Sequence, residues 1–185
     1  MFKKGWLVLL LLLSGCLQQP RDVAFERALT VFESHYFSIL DNDRFLNSSN
    51  YFNISIEKYE LSNQYRYDLI IDDPQVAMYD VVIVIVENNQ DFESLSSLTP
   101  SLGVFDASVN LVPNQINLSK GFPKGILLSG ISTESTIQLR VMVAWKDYYK
   151  LKQSREYFIL DIDFLRDDEP LDPINPDEEG EGSDE

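Results

Sequence analysis

The chain holds one cysteine and one histidine among 185 residues. A single thiol, Cys16, makes no disulfide within the chain and no thiolate metal cluster, and the lone His35 excludes a histidine-based metal cluster. Basic residues are scarce: 15 Lys and Arg against 30 Asp and Glu give a formal net charge of −15. Binding nucleic acid depends on neutralising phosphates with Lys and Arg, so nucleic acid is not an expected partner. The eight glycines form no phosphate-cradling loop, and no cofactor is implied. No Gly-x-Ser-x-Gly occurs. The one Ser-x-x-Lys of note, Ser55 to Lys58, falls in an alternating strand pattern and lacks its Ser-Asp-Asn and Lys-Thr-Gly companions. No apolar run reaches the roughly 20 residues of a membrane span; the longest covers residues 6–13.

That run has a characteristic setting. Lys3 and Lys4 precede it, and Leu13-Ser14-Gly15-Cys16 follows, so the order is charged segment, apolar segment, small residues. The tetrapeptide resembles the lipobox of bacterial lipoproteins, and the resemblance covers about the first sixteen residues. It implies cleavage before Cys16, lipid on that cysteine, and a chain anchored to the cell membrane on its extracytoplasmic face. Leu17 is not an aspartate, which by the same resemblance implies the outer membrane in a host with two membranes. The expected organisation is a signal peptide over residues 1–15, a lipidated tether over 16–20, one domain over 21–165 and a tail over 166–185. A domain of that size buries about two-thirds of its unfolded surface and needs no covalent staple.

Residues 21–40 show helical periodicity, with Phe25, Ala28, Leu29, Phe32, Tyr36, Ile39 and Leu40 on one stripe and His35 at its margin. From residue 51 the period changes to two. Phe52, Ile54 and Ile56 share one face, and residues 65–71 lead through Asp72-Asp73-Pro74-Gln75 into 76–87, a pair that reads as a hairpin. Residues 81–86 are all β-branched and suggest a strand covered on both faces. Residues 104–112 alternate with Phe105, Ala107, Val109 and Leu111 inward, and Ser129-Gly130 reads as a turn. In 136–146, Ile137, Leu139, Val141, Val143 and Trp145 face one way; Phe158, Leu160, Ile162 and Phe164 follow the same rule in 157–164. Seven or eight strands at turn-length spacing predict a mainly β fold: an antiparallel β-sandwich, immunoglobulin-like or C2-like, with one N-terminal α-helix.

Twelve acidic residues against one basic residue, Arg166, lie between Asp161 and Glu185. With Pro170, Pro173 and Pro176 in the same stretch, the end of the chain reads as a disordered acidic tail. Asp161 and Asp163 share one strand face and, with Asp167 and Asp168, could form an all-oxygen Ca²⁺ site or do acid/base work. Against the general acidity, Lys146, Lys150, Lys152 and Arg155 gather round Trp145, Tyr148 and Tyr149 at an expected hairpin tip. Such a patch is a candidate contact for an envelope protein or an anionic surface polymer. The expected function is therefore a non-catalytic envelope binding module. The alternative is a hydrolase or a small-ligand or Ca²⁺-binding domain using the Asp161/Asp163 face or a pocket between helix and sheet.

Overall fold

The computed structural model describes residues 22–95 and 97–166. Helix α1 (Val23–Leu40) begins where Asp22 caps it: the backbone N–H groups of Ala24 and Phe25 each donate to its Oδ1 at 3.1 Å. Its buried residues, Phe32, Tyr36 and Ile39, recur at helical spacing on one stripe.

Eight strands follow: β1 (Asn53–Glu60), β2 (Tyr65–Asp72), β3 (Met78–Glu87), β4 (Ser101–Leu102), β5 (Val109–Leu111), β6 (Ile126–Ser132), β7 (Thr136–Lys146) and β8 (Gln153–Asp163). They form two antiparallel sheets. The smaller runs β1-β2-β6; the larger runs β4-β3-β7-β8, with β5 also beside β3. The main core lies between the sheets and is built on Phe52, Leu69, Ile83, Val141, Trp145 and Phe158 among others. On its other face the large sheet offers Val84, Val86, Met142 and Ala144 to α1, so the molecule has three layers. Residues 137–145 feed both interfaces, the odd positions towards the small sheet and Met142 and Ala144 towards the helix, as their alternation predicts.

Three expectations are corrected. First, β2 and β3 are not a hairpin. The turn at Asp73, whose φ is 46°, carries the chain from one sheet to the other, and the actual hairpins are β1–β2 and β7–β8. Second, residues 104–112 are not one strand. Phe105 packs with α1 while Leu111 is in the inter-sheet core, so the chain changes layer between them. Third, Ser129 and Gly130 are not a turn. Both are inside β6, where Gly130 lies opposite Tyr67 and the tyrosine ring crosses the glycine. Cys16, the tether, and the tail from Asp167 onward, with Asp168, lie outside the described residues.

Candidate functional site

The β7–β8 tip is a turn folded around Asp147. Its N–H donates to Lys152 O at 3.0 Å and its carbonyl accepts from Lys150 N at 2.9 Å. Its carboxylate accepts from Leu151 N and Lys152 N at 3.0 and 3.4 Å. Lys150 sits in the left-handed region (φ 57°), which few non-glycine residues adopt, within the turn these bonds close. A second carboxylate braces the turn from β3. Asp80 receives Lys150 Nζ at 2.8 Å and Lys146 Nζ at 3.2 Å, and its own N–H donates to Asn110 Oδ1 at 3.0 Å. The Lys150 hydrogen bond, with the Lys146 one and both charges, outweighs burial and keeps the Asp80 carboxyl below the usual carboxylate range. Partly exposed pairs of this kind contribute little net stability, so their value here is orientation.

What the turn displays is apolar and aromatic. Tyr148, Tyr149 and Leu151 are 70, 76 and 89% exposed. Tyr148 rests edge-on against Tyr79 at 5.8 Å and against Tyr149 at 5.2 Å. Of the residues the sequence assembled here, Lys146, Lys150 and Tyr148 are brought together on β3, and Lys152 is exposed in the same turn. Trp145 is not displayed. It ends the inward row of β7, is 5% exposed, and meets Phe52 edge-on at 5.7 Å. Arg155 faces the helix side of β8, where it donates to the Tyr157 hydroxyl at 3.3 Å. There it adds its charge to the burial that lowers the pKa of His35. Asp80, some seventy residues away in sequence, gives no local signal of its role.

Asp161 and Asp163 do share one face of β8. Each has a local partner: Gln138 Nε2 donates to Asp161 at 2.9 Å, and Asp163 accepts from Leu165 N at 3.0 Å, capping the turn that follows. Among the described residues no three His, Cys, Asp or Glu side chains are grouped to hold a metal ion. The helix–sheet interface, the other place the sequence suggested for a pocket, is filled by Phe32, Tyr36, Phe92 and Phe105, whose rings lie 5.4–6.2 Å apart.

A groove of about 600 Å³ opens instead beside β6, between residues 129–134 and the loop 97–100. At its floor, Ser132 Oγ donates to Glu87 Oε1 at 2.7 Å, and Thr99 Oγ1 is buried without a hydrogen-bond partner. Burial raises the Glu87 pKa; the Ser132 hydrogen bond opposes this and the nearby Glu134 charge adds to it. The folded state thus binds this proton more tightly than the unfolded chain. Its contribution favours folding in acid and is lost as pH rises from the ordinary glutamate value through the raised one. Glu87→Gln should therefore raise Tm at pH 7 and leave it nearly unchanged near pH 4. Thermal melts across that range check this, and an equal shift at both pH values would count against it.

Comparison with protein-family models, with curated proteins and with solved structures finds no match to this chain.

Proposed function

We propose that the chain is a non-catalytic binding module held at the outer face of a membrane by lipid on Cys16, engaging an envelope protein through the β7–β8 tip. The observation that carries this is the exposure of Tyr148, Tyr149 and Leu151 together on a turn fixed by Asp147 and Asp80. Tyrosine is enriched among the residues that dominate interface energies. A turn already ordered before binding loses less entropy when it docks. Because Asp80 has already taken up Lys146 and Lys150, the tip is less cationic than its sequence, which favours a protein partner over an anionic polymer. A second reading, a small-ligand binder, is supported by the groove at Glu87, Ser132 and Thr99 rather than by the Asp161/Asp163 face.

The test is cross-linking of the tagged, lipidated protein in its own cells, followed by identification of what co-purifies. Tyr148→Ala with Tyr149→Ala should lower partner capture about tenfold or more, the effect of losing 1.4 kcal/mol or more at an interface. Tm should change little, since both rings are exposed. Undiminished capture would remove the tip from the proposal. Cys16→Ser should release the protein from the membrane fraction, and unchanged retention would end the tether reading.

A further inference from the structure

Exposed sheet edges invite pairing with other chains, and natural folds shorten, charge or cover them. Most edges here are treated in that way. β4 and β5 are two and three residues long, and β1 carries Glu57, Lys58 and Glu60. The free edge of β8 is covered where Leu46 N donates to Tyr157 O at 2.8 Å. Among the described residues β6 is neither short nor charged, and no backbone bond covers its free edge. Its seven residues include no charge and no proline, and its register with β2 runs unbroken from Ile126 to Ser132. Among the described residues its other edge meets no strand; it opens on the groove lined by residues 97–100. On the outer face of the small sheet, Leu127 and Ile131 stand 55 and 60% exposed.

We propose that β6 pairs antiparallel with β6 of a second copy of this chain across a two-fold axis at Ser129. The strand is self-complementary in that register. Leu127 comes opposite Ile131 of the second copy, and Ile131 opposite its Leu127, so the exposed apolar side chains on the outer face pack against each other. Beyond the strand ends, the same register places Lys124 of each copy opposite Glu134 of the other, whose Oε2 also accepts from Asn88 Nδ2 at 2.9 Å within its own chain. A slip of two residues places Leu127 against Ser129 or Thr133 and loses both matches. A two-fold interface must be complementary to itself, and this strand satisfies that with an apolar and a charged feature at once. The product is a continuous six-stranded sheet, β1-β2-β6-β6-β2-β1. This goes beyond the tip reading and uses a different surface.

Cys16→Ser leaves the chain without a native thiol, which makes introduced cysteines clean probes of the register. In the full chain in detergent, Ser129→Cys should give a disulfide-linked dimer on mild oxidation, because the two cysteines face each other on the axis. Leu127→Cys alone should not, as its two copies lie four residues apart along the seam, about 13 Å. Leu127→Cys mixed with Ile131→Cys should. Without cysteines, sedimentation should show a monomer–dimer equilibrium, and Leu127→Lys should raise its dissociation constant tenfold or more. Position 127 is exposed, so that variant folds, and its circular dichroism checks this. A chain monomeric up to about 0.1 mM overturns the proposal. So does a dimer that cross-links no better at residue 129 than at 127 alone.

Discussion

Gly130→Ala should destabilise the protein by about 1–3 kcal/mol, the usual range for overpacking an interior, lowering Tm by about 2–12 °C. Glycine in a strand ordinarily weakens it: alanine loses less backbone entropy on folding, so the same change at an open strand position would stabilise by up to about 1 kcal/mol. The expected sign is reversed here by one contact. Tyr67 is paired directly across from Gly130, and a methyl added to the glycine would fall on the tyrosine ring and its hydroxyl. The ring is 1% exposed and packed in the inter-sheet core, so moving it off the methyl disrupts that packing even though it borders the groove beside β6. Tyr67→Leu, which withdraws the outer ring atoms, should cost stability alone yet cancel much of the Gly130→Ala effect. The coupling between the two positions should exceed about 1 kcal/mol in a double-mutant cycle. Urea denaturation of the four proteins measures it. A neutral or stabilising Gly130→Ala would show that the tyrosine does not occupy that space.

The same residue shows why some of the fold is legible in the sequence and some is not. β7 is readable because its two faces meet different layers and both demand apolar side chains, so alternation alone orients it. Helix α1 is readable for a like reason, its stripe being continuous from Phe25 to Leu40. Turn composition carries less. Asp72-Asp73-Pro74 announces a change of direction but not the sheet in which the chain continues, and Ser129-Gly130 has turn-like residues for a purpose set by Tyr67, more than sixty positions away. Residues 104–112 keep an alternating pattern although Phe105 and Leu111 serve different cores. Local pattern reports that a side chain is buried, not which layer buries it. The tip is half legible on the same grounds: its tyrosines and lysines are adjacent in sequence, whereas Asp80, which holds the lysines, is not.

Trp145 separates the structural part of that tip from the part offered to a partner. Trp145→Ala should cost about 3–5 kcal/mol, typical of removing a large buried aromatic side chain. The indole is almost wholly covered, with Tyr51 at 5.6 Å and Phe52 edge-on at 5.7 Å, and it closes the core where the link from α1 enters β1. A domain of this size loses about 2–4 °C of Tm per kcal/mol, so a fall of about 6–20 °C is expected, readable by thermal melt. The tip turn above it depends on Asp147 and Asp80, not on the indole. Well below its lowered Tm, Trp145→Ala should therefore capture its partner nearly as well as the parent. Tyr148→Ala with Tyr149→Ala should do the opposite, retaining Tm and losing capture. The two variants lie within four residues of each other, so a shared loss of local folding would move both readouts together. Opposite responses would mark Trp145 as core and the tyrosines as contact surface. A Trp145→Ala variant with parental Tm and diminished capture would return the tryptophan to the binding face.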